Sequence, residues 1–478
     1  MKSLLILLLI AVFTRSALAE DLFESSHQSH SIIHPHNETS SFNLEKAELK
    51  PQATTLNKKV LGWHPYWVAE DHYKTYDYDA LSVIAFFSYE VDSATGGYTT
   101  IHGFDSSPMI EYAHDRNVKV VLTVSSFGYE SNKALLSDKS KQLILIDSLV
   151  SIIEATGSDG VNLDFELVRT ANRDDLTEFT RMLDSAFREN IPKAEISLDL
   201  PAVDWQQSFD AKELAKNCDY LIIMGYDYYW SGSETAGPVS PLDGGYYNIT
   251  NSVNEYLNLG VPSSRLALGV SWYGYDWPVE SLEKRSNTTG KATARTYAAC
   301  EKLADQFGKN FDDTYKSVWV SYEEDGVFRQ LWYTDSGYLT NSYDFVNSQD
   351  MAGLGIWALS YAGEDNELFE GIKSAYGSCS SVSDGKNQSL LSAHPNPFSQ
   401  STTISYELSE SAHVTLTIYD LHGNEIITLI NEYQTSGEHS AVWNGKDNFK
   451  LFLNSAVCYY SLKTGNDVST TNKLLHLK

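Results

Sequence analysis

The chain has 478 residues, with 63 acidic against 35 basic side chains and a formal charge of −28. Such a surface repels phosphate backbones and excludes nucleic acid as a partner, while it tolerates a neutral polymer. The length suggests two or three domains. The 42% hydrophobic residues suffice for a large core, and the 30 Tyr, 19 Phe and 10 Trp suit the faces of sugar rings, although a large core alone would use the same residues.

The opening stretch "MKSLLILLLIAVFTRSALAE" has a charged start, an apolar run and Ala17-Leu18-Ala19. It reads as a signal peptide, residues 1–19, cut after Ala19. An uncleaved anchor is the alternative, but the run is short for a span. No later stretch is long and apolar enough to cross a bilayer, so no transmembrane segment is expected after cleavage. Residues 20–56 are polar and carry His27, His30, His34 and His36. They read as a disordered linker, with a metal site as the weaker alternative.

From Lys59 the pattern changes. Apolar runs such as "KVLGWHPYW", "LSVIAFFSY", "VKVVLTVSS" and "DYLIIMGYDYY" alternate with amphipathic stretches. In "DKSKQLILIDSLVSIIEATG" Asp138 is placed to cap a helix start and Gly157 its end. Leu176, Phe179, Met182, Leu183 and Phe187 recur at helical spacing. Eight strand-like runs with crossover helices predict an α/β fold, a (β/α)8 TIM barrel over residues 57–377. An open doubly wound sheet is the alternative, but no glycine-rich phosphate loop supports it. Residues 378–392 are small and polar, a linker. Residues 393–478 alternate without helical spacing and predict a small all-β, sandwich-like domain. Cys218, Cys300, Cys379 and Cys458 are widely spaced and form no metal pattern, and pairing is left open.

One run stands apart. "GVNLDFE", residues 160–166, sets three polar side chains into a buried strand. Strand side chains alternate, so Asn162, Asp164 and Glu166 share one face and Val161, Leu163 and Phe165 the other. The apolar face must meet helices, so the polar face points into the barrel, with Glu166 at the carboxyl end where barrel active sites gather. Two carboxylates about 7 Å apart along a strand, partly shielded from water, are expected to titrate differently and divide acid from base work. A polar strand facing solvent is the plain alternative.

"DGVNLDFE" resembles the D-x-x-D-x-D-x-E signature of glycoside hydrolase family 18, the chitinase family. "GWHPYW", "MGYDYYW", "LGVSWYGYDW" and "GIWALSY" are similar to its strands one, six, seven and eight. The resemblance implies substrate-assisted, retaining hydrolysis of β-1,4 bonds in N-acetylglucosamine polymers, with no cofactor and no metal. By motif position Glu166 is the acid and later the base. Asp164 orients the substrate's 2-acetamido group, Tyr226 hydrogen-bonds its carbonyl, and Trp357 is the floor of the sugar site. Asp227, Asn162, Tyr273 and Trp63 are further substrate-binding candidates, and Trp67, Trp205, Trp230 and Trp272 are candidate subsite walls.

Two features depart from the pattern. Asn162 replaces the middle aspartate, which in the family shares a proton with the next one. "SSFGY" replaces the strand-three S-x-G-G. The asparagine resembles the family's branch of peptidoglycan N-acetylglucosaminidases, so peptidoglycan or glycoproteins are alternative substrates. Residues 278–330 leave little room for the family's α+β insertion, which predicts a shallow, open cleft. An inactive lectin on the same barrel is a third reading, opposed by the retained Glu166. The tail, through "HPNPFSQSTTISYEL", "VTLTIYDLHGNEIITL" and "TNKLLHLK", resembles the type A sorting domain of type IX secretion. That implies export across an outer membrane, to the medium or the cell surface, with the secretion machinery as partner.

Overall fold

The apolar runs become parallel strands because both of their faces are covered, one by the barrel interior and one by helices. In the computed structural model, seven strands come first: β1 (Lys59–Pro65), β2 (Val83–Val91), β3 (Lys119–Phe127), β4 (Gly160–Glu166), β5 (Glu195–Pro201), β6 (Tyr220–Met224) and β7 (Leu266–Ser271). The structure describes His27, residues 55–363 and 366–378, and toward the C-terminus 391–396, 398, 401–408, 411–419, 425–446, 456–464 and 468–476. The signal-peptide reading, most of the 20–56 reading, most of the 378–392 linker and Cys379 lie outside these residues. The chain divides into two compact units between Ser380 and Ser381.

The helical expectations hold at their ends. Asp138 accepts hydrogen bonds from the Ser140 and Lys141 amides to start helix Lys139–Thr156, and Gly157 ends it in the left-handed conformation, φ 67°. Helix Arg173–Asn190 buries Leu176, Phe179, Leu183 and Phe187. The first crossover is the exception, since it holds only two 3-10 turns, His72–Thr75 and Tyr78–Ala80.

The expectation of no insertion is wrong. After β7 the chain builds a second, antiparallel sheet: β8 (Tyr273–Pro278), β9 (Thr293–Thr296), β10 (Asn310–Asp312), β11 (Ser317–Glu324) and β12 (Val327–Tyr333), with helix Tyr297–Phe307 among them. Its order is β9-β8-β12-β11-β10. "LGVSWYGYDW" reads as one run but is two elements that part at Trp272. Asp276, with no exposed surface, pins this sheet: it accepts from Arg295, Arg329 and the Tyr322 hydroxyl at 2.8–3.2 Å. The chain then returns through helix Ser336–Ser348 to the eighth barrel strand, β13 (Gly353–Trp357). This strand pairs in parallel with β7 and β1, and β1 pairs with β2, which closes the barrel.

The C-terminal unit is two antiparallel sheets. One holds β14 (Ser392–His394), β15 (Thr402–Leu408) and β18 (Gly437–Trp443); the other holds β16 (Ala412–Tyr419), β17 (Glu425–Gln434), β19 (Ala456–Thr464) and β20 (Val468–His476). Ile404, Tyr406 and Trp443 of the first share one core with Val414, Leu416, Cys458 and Leu474 of the second, as in a sandwich. Cys218 and Cys300 are buried free thiols, and Cys458 is buried. Among the described residues no helix is long and apolar enough to cross a membrane.

Removing Asp276 strands two guanidinium groups that are only partly exposed. Asp276→Ala is expected to cost on the order of 3 kcal/mol, read as a lower melting temperature of the full chain. An unchanged melt would mean that the insertion does not need this carboxylate.

Candidate active site

The strand β4 runs with β3 in a register that aligns Asp164 with Ser125 and Glu166 with Phe127, so its acids stand at the carboxyl rim of the barrel. Its outward side chain Phe165 stacks on Phe179 of helix Arg173–Asn190, with ring centres 5.7 Å apart. That contact turns the polar face inward. Asn162 and Asp164 are fully buried, whereas Glu166 keeps 8% of its surface exposed. The gradient leaves the last acid reachable from the cleft. The end of the strand is held by its backbone: the Glu166 carbonyl accepts from Asn132 Nδ2 at 2.6 Å and from the Gly128 amide at 3.2 Å. Gly128 adopts φ 97°, a conformation that side chains resist, so "SSFGY" keeps its glycine where the turn requires it.

Asn162 was read as a substrate ligand. It is a strut instead. Its Oδ1 accepts from Trp63 Nε1 at 2.9 Å and Thr123 Oγ1 at 3.3 Å. Its Nδ2 donates to Ser197 Oγ at 3.1 Å and Asp199 Oδ1 at 3.0 Å. An amide has two donors and two acceptor positions, and all four are used. Asp199, on β5, was not singled out from sequence. It is 1% exposed, and burial followed by the charge of Asp164 pushes its carboxyl well above the usual carboxylate range. Among the described residues, Asp199 Oδ2 and Asp164 Oδ1 are buried without a hydrogen-bond partner.

Tyr226 and Asp227 follow β6. The Tyr226 ring is buried, and burial raises its hydroxyl well above the usual phenol range. Asp227 adopts the left-handed conformation, φ 59°. Its carboxylate accepts from the Tyr273 hydroxyl and, at 3.2 Å, from the Tyr275 hydroxyl, both on β8. The insertion therefore buttresses the site from the strand-seven side. Trp357, the last residue of β13, is fully buried, 6.0 Å from Trp63 and 6.2 Å from Trp67, with Phe87 edge-on at 5.0 Å. Trp272 packs on Phe369 away from this group and is a core residue. Trp205 is 71% exposed and leans on Tyr247 at 4.8 Å; Trp230 is half-buried. Next to Phe87 a cavity of about 360 Å³ opens between Tyr66, Glu90, Thr99, Ser126 and Ser131.

One more side chain reaches the centre. His27, from the stretch read as a linker, is fully buried there and contacts Asp164, Tyr226 and Trp357. Burial opposes its charge, but the charge and hydrogen bond of Asp164, then Glu166 and Asp227, outweigh it and raise the imidazole pKa. His27, Asp164 and Glu166 are the one grouping among the described residues that could hold a metal ion. Nδ1 lies 2.6 Å from Asp164 Oδ2. That is a hydrogen-bond separation; two ligands bound tetrahedrally at about 2.0–2.2 Å would stand roughly 3.3–3.6 Å apart.

The model of glycosyl hydrolases family 18 matches residues 60–362. Human di-N-acetylchitobiase is 22% identical over 325 residues, covering 62% of this chain and 78% of that protein. The cortical fragment-lytic enzyme of Bacillus anthracis is 21% identical over 291 residues, 58% and 65%. YdhD of Bacillus subtilis, named as a sporulation-specific glycosylase, is 26% identical over 243 residues, and the match spans 50% of this chain and 56% of that one. Among solved structures, the family 18 chitinase of Cycas revoluta with (GlcNAc)3 superposes with a TM-score of 0.61 at 16% identity, over 67% of this chain and 99% of the other.

Asp199 yields a test of this electrostatic frame. A buried acid with a raised pKa holds its proton more tightly folded than unfolded. Its burden on stability is absent below the unfolded pKa, about 3.9, grows as pH rises from there to the raised folded value, and is constant above it. Asp199→Asn removes that burden, so its melting temperature relative to wild type is expected to climb as pH rises. A difference that stays flat with pH would contradict the buried, raised carboxyl.

Proposed function

The chain belongs to glycosyl hydrolases family 18, and on that footing we propose that it cleaves β-1,4 bonds of N-acetylglucosamine polymers by substrate-assisted, retaining catalysis. The observation that carries this reading is the convergence of Asp164, Glu166, Tyr226 and Trp357 on one small space, with Glu166 the more exposed of the two acids. In the proposed reaction Glu166 protonates the glycosidic oxygen. The substrate's own acetamide oxygen attacks the anomeric carbon and forms an oxazolinium ion. Asp164 accepts the acetamide N–H and stabilises the cation where water is excluded. Tyr226 donates to the acetamide oxygen and aims it. Trp357 carries the sugar face. Glu166, now ionised, takes a proton from the water that opens the ring, so the configuration is retained.

Spore-cortex enzymes among the relatives favour peptidoglycan as the second substrate class. Mass spectrometry of products from chitin, a high-mannose glycoprotein and peptidoglycan separates the classes. Motif resemblance supports a further reading of the tail, residues 393–478, as a type IX sorting domain that directs export to the medium or cell surface. Deleting it is expected to abolish export from the native host and leave barrel activity; normal export of the shortened chain would remove that reading.

Glu166→Gln keeps size and hydrogen bonding but delivers no proton. The catalytic rate on a chromogenic chitobioside is expected to fall on the order of 10²–10⁴-fold, with the melt unchanged. The glucose counterpart, which lacks the acetamide nucleophile, is expected to be refractory even to wild type. A folded Glu166→Gln chain with near wild-type turnover sinks the mechanism; equal rates on both substrates remove substrate assistance alone.

A further inference from the structure

The deepest polar space of the barrel holds a side chain of the same chain. His27 precedes β1 in sequence and lies 137 residues before Asp164, yet its ring has no exposed surface. It stacks on Trp357 with ring centres 3.8 Å apart and planes at 25°. Trp63 and Phe87 flank it at 5.7 and 5.8 Å. Nδ1 is 2.6 Å from Asp164 Oδ2, and Nε2 is 2.9 Å from the Tyr226 hydroxyl. Glu166 Oε1 is 3.6 Å from Nδ1.

We propose that His27 is a built-in occupant of the sugar site, an intramolecular competitor that must leave before substrate enters. The proposal rests on the reading above, in which Asp164, Tyr226 and Trp357 bind an N-acetylated sugar. Stacking at 3.8 Å is van der Waals contact, so a sugar ring cannot lie on Trp357 while the imidazole does. The hydrogen bonds are the ones an acetamide would make. An acetamide offers an N–H and a carbonyl oxygen. A neutral imidazole with its hydrogen on Nδ1 offers the same pair, the N–H to Asp164 and a bare nitrogen to the Tyr226 hydroxyl. Protonated, it is a flat five-membered cation whose N–H points at Asp164, which is the description of an oxazolinium ion.

The groups that face His27 are Asp164 and Glu166 from β4, Tyr226 and Asp227 after β6, and the uncharged rings of Trp63, Phe87 and Trp357. The acids raise the imidazole pKa against the effect of burial. The docked form therefore gains most below the ordinary imidazole value, about 6.5, and loses that gain as pH rises through the raised one.

The test uses the full chain, wild type and His27→Ala. It reads KM and kcat on a chromogenic chitobioside, and Kd for chitotriose by calorimetry, each with EDTA and with added zinc. A competitor lowers apparent affinity by the fraction of open sites and leaves the bound-state rate alone. His27→Ala is expected to lower KM and Kd at least about threefold, to change kcat less than twofold, and to do so with or without zinc. The gap from wild type is expected to narrow as pH rises. A folded His27→Ala chain with unchanged KM and Kd overturns the proposal. So does a fall in kcat at constant KM, which would make His27 part of the working site, or an effect that appears only with zinc. His27→Asn, which keeps a donor and an acceptor but stacks less area, is expected to fall between the two and serves if the alanine variant does not fold. A chain that cleaves no chitobioside yet binds chitotriose more tightly without His27 keeps the competitor and discards the hydrolase reading. Cleavage with identical KM and Kd in both chains does the reverse.

Discussion

A carboxylate without exposed surface must be met by donors, opposite charge or a proton, because leaving it bare in a barrel costs several kcal/mol. Asp164 sets this demand, and the polar interior is arranged around it. Asn162 lies on the same inward face of β4. It stands one turn of the pleat below Asp164 and bridges Trp63 on β1 to Asp199 on β5. An aspartate at 162 would face Asp199 oxygen to oxygen at about the 3.0 Å now spanned by a hydrogen bond. Such a pair could not be fully ionised. In this chain the acid beside position 162 stands on β5, and the asparagine donates to it.

What could be read from sequence follows the range of the interactions involved. The alternation in "GVNLDFE" is local, so the inward face of β4 and the outward stacking of Phe165 were legible. So were the caps at Asp138 and Gly157, which act within one turn. The insertion was not legible, because "LGVSWYGYDW" is apolar across the point where a parallel barrel strand ends and an antiparallel one begins. Hydropathy does not report strand direction. Asp199 was missed for a related reason. In "EISLDLPAV" it is an acid between two leucines, and its meaning lies in Asn162 and Asp164 on the neighbouring strand. Asn162 was noticed but misassigned, since only the four partners reveal that it has nothing left to offer a substrate.

The insertion changes how the cleft is bounded. A bare barrel would leave Asp227 to solvent. Here β8 brings the Tyr273 and Tyr275 hydroxyls onto its carboxylate, and Asp276 on the same strand is tied to Arg295 and Arg329. Alternation makes this economical: along β8 the odd positions 273 and 275 face the site, and Asp276 faces the other side. One strand therefore links the fold of the insertion to the position of a residue beside the candidate site. The left-handed backbone at Asp227, which an aspartate tolerates better than most residues, is fixed from this direction.

The presence of an imidazole in the site follows from what the proposed chemistry requires. A catalyst must be complementary to the state in which charge has developed. Here that state is a flat, five-membered cation with an N–H toward Asp164 and an aromatic floor beneath it. Any site built for that cation also fits an imidazolium, and weakening its hold on one weakens its hold on the other. Lysine carries the charge but has no face to lay on Trp357. Arginine has a planar head, but its group is larger and is not a ring. Histidine alone among the side chains offers the ring size, the face, the paired nitrogens and a charge that titrates near neutrality. His27 is thus chemically matched to the space it occupies, even though no local pattern in the sequence around it announces that it does so.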